Sequence, residues 1–307
     1  MFADKIISSY KTGKTAQSWI ISGPEGIGKR KIVDEVVKAL LGERAGDISA
    51  GLKIIECGLT EEAKKAVQKA ILDGQTPDEE DLLKKKSEIT VEDIRSGIDF
   101  LSLKSTLPCR ILVISLADDM NEKAQNTLLK TLEEPYDKSL ILLISENIER
   151  LLPTIRSRCQ KMFLPALTVN ELKKQLLTEY QNLSDLDKIA EISGGIPGMA
   201  KKIIENDGLS LYDSFLSLLK PEKVISSEEV LNLSDEIAKD PIKMDLIRLF
   251  MLQYVANKAK NSSIASGHDW SKFYNYLQTE WRKMDKLYLD KAQTLTEMIF
   301  EIERRLG

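Results

Sequence analysis

Residues Gly23-Pro-Glu-Gly-Ile-Gly-Lys29-Arg30 restrict the fold more than any other stretch of the chain. An apolar run, Ser18–Ser22, leads into them, and a helical pattern over Lys29–Leu41 follows and stops at Gly42. A short apolar run ending at glycine suits a strand buried on both faces of a parallel sheet. A glycine just past a periodic segment suits a helix C-terminus. The spacing is G-x-x-x-x-G-K, in which glycines let successive backbone N–H groups cradle phosphate oxygens while the lysine reaches the outer phosphates. The pattern ends in a Ser or Thr whose hydroxyl binds Mg²⁺; here that position is Arg30. Gly23, Gly26, Gly28, Lys29 and Arg30 are candidate nucleotide-binding residues, and two readings stand: a loop that still binds nucleotide, or a decayed loop that keeps only its backbone shape.

Further strands are expected at Leu52–Cys57, Arg110–Leu116, Ser139–Ser145 and, more briefly, Met162–Pro165. Between them lie helical patterns. Thr90-Val-Glu-Asp93 carries a capping residue with an acid three positions on, opening a helix to about Leu103. Glu122–Glu133 places Ala124, Leu128, Leu129 and Leu132 on one stripe, and Pro135 ends it. Asp118 and Asp119 precede that helix and are expected to cap it, since acids belong near helix N-termini. The stretch 60–90 breaks the apolar pattern: a helix over Glu61–Leu72, a turn, then acids and a triple lysine read as a solvated surface insertion. Leu151–Gln160 reads as a rigid surface turn. Pro153 fixes its backbone, and Arg156 and Arg158 cannot both be buried without partners because desolvating a guanidinium is very costly, so the turn is expected to present Arg158 outward. Taken alone, that turn is only a solvated basic loop.

The later chain is helical throughout. Thr168-Val-Asn-Glu171 is a capping box for a helix to about Tyr180, a second helix spans Leu186–Ser193, and a third starts near Pro197. After these come Leu211–Leu219, Ser227–Ala238, Ile242–Ala259, Trp270–Arg282 and Asp285–Leu306. A chain of 307 residues exceeds one core of ordinary size. Three widely spaced cysteines, Cys57, Cys109 and Cys159, and a single histidine argue against both a disulfide framework and a metal site. With 44 basic against 48 acidic residues, autonomous DNA binding is disfavoured. No apolar run is long enough to span a membrane, and Met-Phe-Ala-Asp-Lys lacks signal-peptide character, so a cytoplasmic protein is expected.

Asn121–Pro135, read with Thr154-Ile155-Arg156-Ser157-Arg158-Cys159, resembles the clamp-loader branch of the AAA+ superfamily, closest to its delta-prime members in bacterial DNA polymerase III. The resemblance covers roughly residues 1–205 and is most specific over 117–160. It implies an α/β fold: an AAA+ parallel-sheet nucleotide-binding core over 1–165, a three-helix lid over 166–207, and an all-helical C-terminal collar over 208–307. It also implies that Arg158, in the Ser157-Arg158-Cys159 turn, is an arginine finger acting on a neighbouring subunit's nucleotide. By the same alignment Ser115 stands at the Walker B aspartate, Leu116 at its glutamate, Asn147 at sensor 1 and Gly198 at the sensor-2 arginine. Many relatives carry a four-cysteine zinc module that this chain lacks. The function implied is a clamp-loader subunit of the DNA polymerase holoenzyme that helps load the sliding clamp onto primed DNA. Its partners would be gamma/tau and delta subunits. It would not be an independent ATPase, with no cofactor required and ATP admitted only at the degenerate loop. The alternative, an ATP-hydrolysing gamma/tau-type motor, must explain Arg30, Ser115 and Gly198 together.

Overall fold

The computed structural model describes residues 2–12, 17–42, 45–58, 88–103, 107–180, 185–219, 226–287 and 289–306. The Glu61–Leu72 helix and the rest of the expected insertion up to residue 87 lie outside the described residues. The chain divides into two compact units, Met1–Pro165 and Ala166–Gly307.

In the first unit the elements run α1 (Phe2–Thr12), β1 (Ser18–Ser22), α2 (Lys29–Leu41), α3 (Ala45–Gly51), β2 (Leu52–Ile55), α4 (Val91–Ser102), β3 (Arg110–Ile114), α5 (Glu122–Glu133), β4 (Ser139–Ser145), α6 (Pro153–Arg158) and β5 (Gln160–Phe163). Short 3₁₀ turns sit at Ala117–Asp119 and Ile148–Arg150. The strands form one parallel sheet in the order β2-β3-β4-β1-β5. Successive side chains of a strand point to opposite faces, and the core follows that alternation. Trp19, Ile21, Ile111, Val113, Leu140, Leu142 and Ile144 pack with Ala3 and Ile6 of α1 and Val33, Val36 and Val37 of α2. Ile20, Leu112, Ile114, Ile141 and Leu143 pack on the other face with Ile94 of α4, Leu128 and Leu132 of α5 and Ile155 of α6. Every residue of β1 and β4 is buried, which is why both read as continuous apolar runs.

β1 sits between β4 and β5, so its C-terminal loop emerges where chain neighbours part to either side. In open parallel sheets that crevice at the carboxyl ends is where ligands bind. The loop is fixed to both neighbours: Gly23 N–H donates to the Ser145 carbonyl at 3.3 Å, and Leu164 N–H donates to the Ser22 carbonyl at 2.8 Å. A Cβ at Gly23 would sit 2.6 Å from the Leu164 carbonyl oxygen on a backbone with φ of 152°, so only glycine fits.

The second unit holds α7 (Val169–Glu179), α8 (Leu186–Ile192), α9 (Pro197–Glu205), α10 (Gly208–Leu218), α11 (Ser227–Ala238), α12 (Pro241–Asn261), α13 (Ile264–Leu287) and α14 (Lys291–Arg304). One hydrophobic cluster runs from Leu172 to Ile302 and includes Phe215, Phe250, Phe273 and Trp281. Thr168 and Glu171 form the expected capping box. Gly195 adopts φ of 76°, and a Cβ there would lie 2.1 Å from the Leu167 carbonyl. The expected start of the last helix at Asp285 is wrong: α13 continues to Leu287, and Asp290 is the cap, accepting from Gln293 N–H at 2.8 Å. A capping carboxylate satisfies an otherwise orphaned N–H, and Asp290 is the acid placed to do so. Among the described residues, no helix is long and apolar enough to cross a membrane.

Candidate functional site

The P-loop closes on itself. Lys29 is 7% exposed, and its ammonium donates to the carbonyls of Gly23 at 2.6 Å and Pro24 at 2.8 Å. Burial pulls the Lys29 ammonium below the ordinary lysine range, and Glu146, 4.0 Å away, opposes that shift. Burial conversely pushes the Glu146 carboxyl up, with Lys29 opposing. Gly26 and Gly28 both adopt positive φ, 76° and 102°, leaving the backbone free to curl ahead of α2. Next to the lysine, Arg30 turns back across the sheet end: its Nη1 donates to Ser115 Oγ at 3.0 Å, and its Nε lies 3.5 Å from Asp34. Gly26, Gly28, Lys29, Arg30, Ser115 and Glu146 border an open cleft of about 320 Å³.

This donor set does not fit Mg²⁺. The position that would supply a hydroxyl is a guanidinium, which can only donate, and the position that would supply a carboxylate is a serine engaged by it. Arg30 and Ser115 instead engage one another, a donor and its acceptor linking α2 to the residue after β3. Among the described residues, no group of three or more His, Cys, Asp or Glu is placed to hold a metal ion.

Asp118 departs from its expected role. It is 8% exposed and accepts from Ser145 Oγ at 2.6 Å, Glu146 N–H at 2.6 Å and Asn147 N–H at 2.9 Å, tying the turn after β3 to the end of β4. The cap of α5 is instead Asn121, whose side chain accepts from Ala124 N–H at 2.9 Å. Asp119 does not cap α5 either; its carboxyl, raised by burial, accepts from the Cys57 thiol at 3.8 Å. The polar end of a buried strand needs partners more than an exposed helix start does, and Asp118 supplies them for β4. Asn147 caps the Ile148–Arg150 turn through Glu149 N–H.

The Arg158 turn is built on buried anchors. Leu151, Ile155 and Cys159 pack into the core beneath α6. Ser157 Oγ donates to the Thr154 carbonyl at 3.0 Å, and Arg158 Nη1 donates to the same carbonyl at 3.0 Å. Arg156 pairs with Glu149, and Arg158 pairs through Nη2 with Glu133 at the end of α5. Arg158 is 34% exposed with both terminal nitrogens engaged within the protein, while Ser157 beside it is exposed and Cys159 buried.

Sequence reasoning missed Gln125. It is 4% exposed; its amide donates to the carbonyls of Met120 at 3.1 Å and Arg150 at 3.3 Å and accepts from Leu152 N–H at 2.7 Å. It therefore fixes the segment entering α6 against α5. The signal was there: Gln125, Leu128 and Leu132 share one helical face, so a polar residue stood at a core position.

The thiols follow burial. Cys109 is pushed up to about 11 and Cys159 to about 12, both by desolvation. A maleimide at pH 8 is expected to label half-buried Cys57 in the native protein and to reach Cys109 and Cys159 only after denaturation. Intact-mass measurement before and after unfolding checks this, and rapid native labelling of Cys159 would contradict it.

A family model described as "DNA polymerase III, delta subunit" matches residues 2–168. The DNA polymerase III subunit delta-prime of Pseudomonas aeruginosa is 33% identical over 195 residues, covering 61% of this chain and 56% of that protein. The Escherichia coli delta-prime subunit is 27% identical over 225 residues, covering 70% of this chain and 63% of that one. The chain thus spans little more than half the length of curated relatives it matches. A DNA polymerase III gamma subunit-related protein from Thermotoga maritima superposes with a TM-score of 0.53 at 17% identity, covering 99% of this chain and 100% of that one, a likeness of fold. By the family match over residues 2–168, and consistent with its five-stranded parallel sheet, the chain belongs to the DNA polymerase III delta/delta-prime family of AAA+ clamp-loader relatives.

Proposed function

We propose that this chain is a delta-prime-like, non-hydrolysing subunit of a bacterial clamp loader, working in the cytoplasm and supplying Arg158 in trans to a neighbouring ATPase subunit. Its partners are gamma/tau and delta subunits, and through them the sliding clamp and primed DNA. In this reading residues 166–207 act as the lid and 208–307 as the collar that holds the subunits together. The observation that carries the proposal is the Arg30–Ser115 contact in a chain that keeps an anchored, part-exposed Arg158. A chain that hydrolysed its own nucleotide would need metal ligands where these two side chains meet; a chain serving a neighbour would not. A gamma/tau-type motor has no such account of the pair.

The assignment is tested by mixing purified protein with gamma/tau and delta homologues and following gel filtration. One co-eluting complex is expected; elution alone, across partner concentrations into the micromolar range, would remove the proposal. A second test uses the isolated protein. Steady-state assays with ATP and Mg²⁺ are expected to give no turnover above that of Lys29→Ala, and any ATP binding seen by calorimetry should be indifferent to Mg²⁺. Turnover that Lys29→Ala abolishes would restore the motor reading.

A further inference from the structure

We propose that Glu133 is a positioning residue for Arg158, holding its guanidinium at the end of α5 so that the remaining N–H groups face a phosphate brought by the neighbouring subunit. This rests on the reading of Arg158 as a finger in trans. Glu133 is the last residue of α5, and its carboxylate pairs with Nη2 of Arg158. Helix stability does not call for an acid there, because the last turn of a helix carries the negative end of its dipole and favours cations. Lys130 meets that preference in the same turn. What the carboxylate gains at this position is Arg158.

The pair adds little to folding, since at 34% and 49% exposure solvent screens an ion pair and ordering both side chains offsets most of its attraction. Its effect is on geometry. An arginine side chain on a surface samples many rotamers, and ordering it is costly. Thr154 holds Nη1 and Glu133 holds Nη2, two contacts from two different helices, which fix the plane of the fork. A guanidinium has five N–H groups, so donors are left for phosphate oxygens. Gln125, which ties α5 to the segment entering α6, keeps the two contacts in register.

The test uses the reconstituted complex with gamma/tau and delta homologues, clamp and primed DNA, comparing Glu133→Ala, Glu133→Gln, Arg158→Ala and the Glu133→Ala/Arg158→Ala double variant. Glu133→Ala is expected to lower kcat roughly three- to tenfold with KM for ATP unchanged, as loss of alignment does. Glu133→Gln should recover part of the loss, because its amide oxygen still accepts a hydrogen bond. In the Arg158→Ala background, Glu133→Ala should have no further effect, the mark of residues acting as one unit. A Glu133→Ala loss that persists unchanged in that background, or wild-type or faster turnover for Glu133→Ala beside a slow Arg158→Ala, would overturn the inference and leave the finger standing. Normal turnover for Arg158→Ala would instead remove the finger reading itself.

Discussion

Arg158→Ala is expected to leave the protein folded and assembled while slowing ATP hydrolysis in the clamp-loader complex. Folding should hold because the side chain is partly exposed and its ion pair with Glu133 is a surface pair. The anchors of the turn, Leu151, Ile155 and Cys159, are untouched by the change. Catalysis should not hold. A positioned cationic donor offsets charge on the transferring phosphoryl group, and its removal costs on the order of 10²-fold or more at the site it serves. Under the proposed function, steady-state turnover of the whole complex should fall less, because each ATPase subunit would keep its own site. Arg158→Lys should rescue only in part, because a single ammonium cannot span two phosphate oxygens as a planar fork does. The measurement is single-turnover and steady-state hydrolysis with clamp and primed DNA, with assembly verified by gel filtration. Unchanged rates in an intact complex would reduce Arg158 to a surface arginine.

Asp118→Ala is expected to be the most destabilising single change in the first unit's polar framework. The substitution strands Ser145 Oγ and the N–H groups of Glu146 and Asn147, all now served by one carboxylate. Hydrogen bonds to a charged acceptor contribute about 1.5–3 kcal/mol each, and they are not additive, so a loss of roughly 3–5 kcal/mol is expected. That should lower Tm by about 6–20 °C for a unit of this size. Asp118→Asn should cost less, since an amide oxygen in place of Oδ2 can still accept from the N–H groups of Glu146 and Asn147. Thermal melts of the three proteins check this. A Tm within 2 °C of wild type for Asp118→Ala, by a criterion of about 1 kcal/mol, would show that water takes over the three donors.

The layers of the first unit were legible because their causes are local. Strands buried on both faces are uniformly apolar, and Ser18–Ser22 and Ser139–Ser145 announce themselves. Capping boxes need only four consecutive residues, and Thr90–Asp93 and Thr168–Glu171 form as the spacing requires. The departure of Arg30 and Ser115 from the P-loop and Walker B patterns was also visible, but their meeting was not. They stand 85 positions apart, and only the parallel register of the sheet brings them within 3.0 Å. Asp118 failed for the same reason: its partners lie 27 to 29 residues away, so a rule about neighbouring helix starts chose the wrong role. Glu133 and Arg158 likewise come from separate helices. Residue types and spacing report what a segment can do alone; polar contacts across the sheet end depend on which strands are neighbours.

The Arg30–Ser115 contact also bears on how such a chain can change over generations. A hydroxyl at position 30 alone would leave Ser115 as a poor metal ligand, and an aspartate at position 115 alone would form a salt bridge with Arg30 rather than bind a cation. Neither single replacement regains a metal site, and the second tightens the existing arrangement. The pair therefore behaves as a ratchet: no single replacement at either position is favoured as a first step toward a metal site.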